Sequence, residues 1–178
     1  MANPNASAVR PPRCSFASAQ DLMQHAAGTR LRTLDRVEVV IGQAQAERFR
    51  CRAGEHWRRL RKLRSDPQGG GVPALSEIYI PLAFGEVLKQ PNRSRHPIFV
   101  LIERWFAQTV TEILQDIDGV TGLTAEQVQH LLPAPGATAM QVTRHCINAT
   151  GRVLDLVRWL HPAETFHDTL RRQLRHGS

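Results

Sequence analysis

Between residues 48 and 64 eight side chains are basic: Arg48, Arg50, Arg52, Arg58, Arg59, Arg61, Lys62 and Arg64. Only Glu47 and Glu55 oppose them nearby. Cations at that density repel one another unless an anion relieves them. The relief can come from nucleic-acid phosphates, an acidic protein surface or an anionic membrane. Arg48, Arg52, Arg58, Arg59, Arg61 and Lys62 are therefore the candidate phosphate contacts. A second group, Gln141, Arg144, His145 and Asn148, has side chains suited to base edges. Arginine pairs with guanine through two hydrogen bonds, and Gln and Asn pair with adenine.

These side chains need elements to aim them. Wound as a helix, Arg48–Arg64 places Phe49, Ala53, Trp57, Leu60 and Leu63 on one side. Arg48, Arg52, Arg59 and Lys62 then fall on another. In that arrangement Trp57 is a core anchor rather than a stacking platform for bases. The same period puts Gln141, Arg144 and Asn148 beside an apolar stripe of Val142, Cys146, Ala149, Val153, Leu156 and Leu160. The charge is uneven in a matching way. Residues 1–64 hold thirteen Lys+Arg and five Asp+Glu (13 − 5 = +8), and residues 65–178 hold ten and eleven (10 − 11 = −1). Basic character thus belongs to the first third of the chain, which points to a polyanionic partner.

The stretch 123–150 carries a resemblance. Leu123-Thr124-Ala125-Glu126-Gln127-Val128, the pair Leu131-Leu132, a turn, and then Val142-Thr143-Arg144 resemble the helix-turn-helix of DNA-binding regulators. The resemblance implies that the first helix braces on the DNA backbone and the second enters the major groove. Thr124 and Gln127 have capping-box spacing, repeated by Thr138 and Gln141. The Pro133-Ala134-Pro135-Gly136 turn is longer than that family's, and Gln129 stands where it has a small residue. An αα-hairpin in a helical bundle accounts for the same residues without DNA.

The rest of the chain predicts an all-α fold with a disordered N-terminal arm and one short extended segment near 76–80. The expected division is a basic arm at 1–17, a basic helical segment at 18–66, a Gly/Pro linker at 67–74, and a helical core at 75–178. Ser18 and Gly28 bound a short first helix. Arg30–Ile41 fits a helical stripe, although Val37–Ile41 is β-branched enough for a strand. A helix begins at Pro81, with Ile78-Tyr79-Ile80 extended before it. A long helix from Pro97 to Ile117 buries Ile98, Ile102, Trp105, Phe106, Thr109, Ile113 and Ile117.

Little else suggests chemistry. Cys14, Cys51 and Cys146 have no paired spacing and suit a reducing cytosol. The eight histidines are scattered, so no metal site is expected, and no glycine-rich phosphate loop occurs. No cofactor is implied. No apolar run approaches the roughly 18 residues that would span a bilayer, so no membrane partner is expected. Arg171 and His176 echo the Arg-x4-His signature of HEPN-type ribonucleases, with a second Arg in place of that family's polar residue. The composite reading is a cytoplasmic, non-enzymatic nucleic-acid-binding protein, DNA favoured over RNA, acting as a homodimer or within a larger complex. A helical adaptor subunit is its alternative.

Overall fold

The structure, a computed structural model, describes residues 30–65, 74–90, 96–131 and 138–168. Its centre is a sheet of six strands: β1 (Arg30–Val40), β2 (His56–Ser65), β3 (Ala74–Pro81), β4 (Val110–Val120), β5 (Ala139–Asn148) and β6 (Val153–Pro162). The order across the sheet is β1-β2-β3-β6-β5-β4, every neighbouring pair antiparallel. Among the described residues three short α-helices accompany it: α1 (Gln43–Phe49), α2 (Ile98–Phe106) and α3 (Ala125–Leu131). A 3-10 helix over Leu82–Lys89 follows β3. The all-α expectation is overturned.

The reason lies in the central strands. Trp57, Leu60 and Leu63 are spaced by three, which reads as a helical stripe. In β2 they point alternately to the two sides of the sheet, because successive strand residues face opposite ways. Both sides are covered, so both accept apolar residues and simple alternation is lost. β5 makes the point more strongly: every residue from Val142 to Ile147 is buried, with polar Thr143, Arg144 and His145 among them.

One side of the sheet is roofed by the 3-10 helix and α2. Leu60, Ile78, Ile80 and Leu154 pack there against Phe84, Val87, Leu88, Ile98, Leu101 and Ile102. The opposite side carries a short helix at each end. At one end Ala46 and Phe49 of α1 pack on Trp57, Tyr79, Ile147, Val153 and Leu156. At the other, Leu131 of α3 packs on Leu75, Ala139 and Leu160. Each such fully buried aliphatic side chain contributes roughly 1.5–3 kcal/mol by leaving water.

Further expectations change with the fold. The basic helix of 48–64 does not form. Arg48 lies in the last turn of α1, Arg50 adopts a left-handed conformation (φ 53°) that closes it, and Arg58 to Arg64 lie in β2. The long helix from Pro97 stops at Phe106, where Ala107 turns left-handed (φ 51°), and β4 begins at Val110. Trp105, Ile113 and Ile117, expected inside, are exposed at 56%, 43% and 40%. The helix-turn-helix at 123–150 is not there. Its first helix exists, but the residues read as its second helix form β5, buried throughout from Val142 to Ile147. The basic arm and the Ser18 helix lie outside the described residues, as do most of the Gly/Pro linker, Arg171 and His176. Strands on both sides of residues 67–74 belong to one sheet.

Candidate functional site

The register of the sheet brings together residues that are far apart in sequence. Asp35 of β1 lies opposite Arg61 of β2, Arg61 opposite Glu77 of β3, and Glu77 opposite Arg158 of β6. Arg158 in turn faces Thr143 of β5, and Thr143 faces Asp116 of β4. Directly paired residues project on the same side. One polar row therefore crosses all six strands on the side that carries α1 and α3. It runs between the two apolar clusters beneath those helices. A neighbouring row adds Arg59, Tyr79 and His145 on the same side.

Ion pairs order this row. Arg61 donates Nε to Asp35 and Nη1 to Glu126 of α3, the latter at 2.8 Å. These hydrogen bonds hold its guanidinium firmly protonated and draw the Glu126 carboxyl below its usual range. Arg158 Nη1 lies 3.6 Å from Glu77 Oε2. Tyr79 donates its hydroxyl to the same oxygen at 3.2 Å. Burial, reinforced by Glu77, pushes the Tyr79 phenol up to about 12, so it stays protonated. The Arg158 guanidinium also lies over the rings of Phe49 and Tyr79, at 5.5 and 5.7 Å. Such placements add cation–π attraction and fix the head group.

His145 ties α1 to the sheet. Its Nε2 is 2.9 Å from the carbonyl oxygen of Arg48. A carbonyl can only accept, so Nε2 carries the hydrogen and Nδ1 is a bare acceptor. Burial lowers the imidazole's affinity for a second proton and keeps it neutral. Among the described residues on this side of the sheet, Nδ1 of His145, Oδ1 of Asp35 and the Nε atoms of Arg59 and Arg158 are buried without a hydrogen-bond partner. Buried polar atoms are nearly always paired, so an unpaired group of this kind calls for an explanation. Here two donors and two acceptors are left over.

The expected site residues are thus dispersed and in part reassigned. Arg58 and Lys62 point to the roofed side, while Arg59 and Arg61 join the polar row. Arg48 contributes its backbone, and Arg52 lies in the loop after α1. Among the residues expected to read bases, Gln141 and His145 share the row's side. Arg144, 4% exposed, is on the other side, where it donates to Gln115 at 2.7 Å and lies 4.8 Å over the Trp159 ring. Asn148 ends β5. Its amide donates to Gln108, and its carbonyl oxygen accepts from the backbone N–H groups of Thr150 and Arg152 in the β5–β6 turn. Part of the charge crowd on β2 is relieved from within: Asp35 pairs with Arg59 and Arg61, and Glu126 with Arg61. Glu77, Tyr79 and Arg158 were missed. A charged residue inside an otherwise apolar strand, as in Leu75–Ile80 or Val153–Leu160, was the available signal. Among the described residues no three His, Cys, Asp or Glu groups gather as a metal would need, and no helix is long and apolar enough to cross a membrane.

Residues 23–167 match the UTRA domain. The fold is shared with solved structures of low sequence identity. A GntR-family transcriptional regulator from Bacillus cereus is 16% identical with a TM-score of 0.67, over 83% of this chain and 100% of that one. The ligand-binding domain of a GntR-family regulator from Bordetella bronchiseptica is 20% identical, TM-score 0.62, over 83% and 89%. The effector domain of PhnF from Mycobacterium smegmatis is 12% identical, TM-score 0.70, over 88% and 94%. No curated protein matches the chain in sequence.

Proposed function

The chain belongs to the UTRA domain family, the ligand-binding regulatory domain of GntR-family transcriptional regulators, and from that premise we propose that it senses a small acidic effector held on the polar row. The observation that carries this reading is the set of unpaired buried atoms there: Nε of Arg59 and of Arg158, Nδ1 of His145, and Oδ1 of Asp35, which lies 3.7 Å from Arg59 Nη2. The two guanidinium donors suit a phosphate or carboxylate, and the imidazole nitrogen suits a hydroxyl or amine hydrogen on the same molecule. Asp35 and Glu77 hold the guanidiniums in place without satisfying all their hydrogens. A UTRA domain binds effectors and not DNA, so residues 123–150 are not a DNA-reading element. In this reading DNA and a second copy of the chain are partners of the regulator, and the polar row reports the effector's presence to it.

The test is calorimetric titration of the full chain with phosphorylated and carboxylated metabolites, together with uncharged relatives of each. At least one acidic compound should bind. Arg158→Gln or Arg59→Gln should weaken it about tenfold or more, since a hydrogen bond to a charged group contributes roughly 1.5–3 kcal/mol. Binding only of uncharged compounds, or acidic binding indifferent to both substitutions, would remove the proposal.

A further inference from the structure

A cleft of about 700 Å3 lies at the far end of the sheet, on the other side of the Phe49–Trp57 cluster from the polar row. It is formed where the loop after α1 meets the end of β3 and the β5–β6 turn. Arg50, Arg52 and Arg152 stand around it, exposed at its rim. Its volume falls within the range typical of small-molecule pockets.

Charge in the cleft is unbalanced. Among the described residues none of the three arginines has a carboxylate partner. The lining holds one acid, Glu55, and both its oxygens are engaged elsewhere. Oε1 accepts the backbone N–H of Arg52 at 3.0 Å, and Oε2 accepts the Trp57 indole N–H at 3.1 Å. Glu55 therefore shapes the loop, and its one negative charge stands against three positive ones.

The rim is also held in position. The Arg152 guanidinium lies 5.1 Å over the Phe84 ring, beside the apolar lip of Pro81, Leu82 and Ala83. The backbone of Arg50 is fixed in the left-handed region, with its N–H donated to Glu47 at 3.3 Å. Gly54 (φ 85°) and Gly151 (φ 78°) let the two loops turn toward each other. Three arginines against a single carboxylate, one of them held over an aromatic ring, and an apolar lip make a receptor for one kind of guest.

We infer that this cleft is a second binding site, distinct from the polar row, for a small organic anion with a phosphate or carboxylate on a compact apolar frame. The guanidiniums take the anionic group as charge-assisted hydrogen bonds, and the frame lies against Leu82 and Ala83. The inference does not depend on what the polar row binds.

The test is amide chemical-shift mapping on the full chain with phenyl phosphate, benzoate and benzyl alcohol. Phenyl phosphate or benzoate should shift residues 50–57, 81–83 and 150–153, and the stronger of the two names the anionic group. Benzyl alcohol should shift them far less. Arg152→Gln should weaken the effect about tenfold. Arg50→Gly, which suits a left-handed backbone and so does not threaten the fold, should weaken it as well. Shifts confined to Arg59, Tyr79 and Thr143, shifts equal for benzyl alcohol, shifts indifferent to both substitutions, or none at all would each overturn the assignment.

Discussion

Asp155 offers the sharpest test of the packing described here. Its carboxyl is buried on the roofed side of the sheet, 1% exposed, where it accepts the backbone N–H of Phe99 at the start of α2 and the Cys146 thiol hydrogen. Its Oδ1 has no partner among the described residues. Burial outweighs these bonds and the nearby Arg144, and lifts the carboxyl from 3.8 to about 6. The folded chain therefore holds this proton more tightly than the unfolded chain does. Stability from this group is fully present below the unfolded value of about 4 and is lost as pH rises through about 6. The gap of about two units corresponds to about 3 kcal/mol at 1.36 kcal/mol per unit. Asp155→Asn removes the titration while keeping an acceptor for Phe99. In urea denaturation across a pH series, the stability of the variant relative to the parent should rise by about 3 kcal/mol between about pH 4 and about pH 7. Cys146→Ala should extend the window upward, because the thiol hydrogen bond stabilises the carboxylate. A difference that stays flat across the series would mean that Asp155 ionises normally and that the burial argument is wrong.

Two further outcomes follow from the ion pairs and thiols. Arg61→Gln removes the link from the sheet to Glu126, so amide hydrogen exchange in Ala125–Leu131 should accelerate several-fold while α1 is unaffected. Equal exchange in the two helices before and after the change would show that α3 is held by Leu131 packing alone. Burial, aided by Glu55, raises the Cys51 thiol to about 11, and burial with Asp155 raises Cys146 as well. In the folded chain near pH 8, mass-spectrometric labelling of Cys51 should run about a hundredfold slower than for a free peptide thiol, and Cys146 should be slower still. Labelling of either at the peptide rate would contradict the described environment.

Several signals that involve only a few neighbouring residues are legible in the sequence. The capping box is an instance: Thr124 N–H donates to Gln127 at 2.9 Å and Gln127 N–H to the Thr124 hydroxyl at 3.2 Å. Pro97 does start a helix, and Pro81 does separate an extended segment from a helical one. Trp57 is a core residue, fully buried, although in a strand and not in a helix. Long-range features were not legible. Thr138 and Gln141 have the same capping spacing as Thr124 and Gln127 but flank the start of a strand, because pairing with β4 and β6 outweighs a local cap. Arg59, Arg61 and His145 were singled out for their charge and type. Their companions Glu77, Tyr79 and Arg158 join them only through strand register, which single-sequence periodicity does not encode.

The strand order has a consequence for how the chain is made. β1, β2 and β3 form one meander and β4 and β5 another, and only β6 joins them, pairing Leu75 with Leu160 on one flank and Gln141 with Leu160 on the other. Until that last strand emerges from the ribosome, both halves present raw edges that invite mispairing. Closure across so wide a sequence separation is slow by nature. Completion of the sheet should therefore wait for β6, whatever the two halves have formed before it pairs.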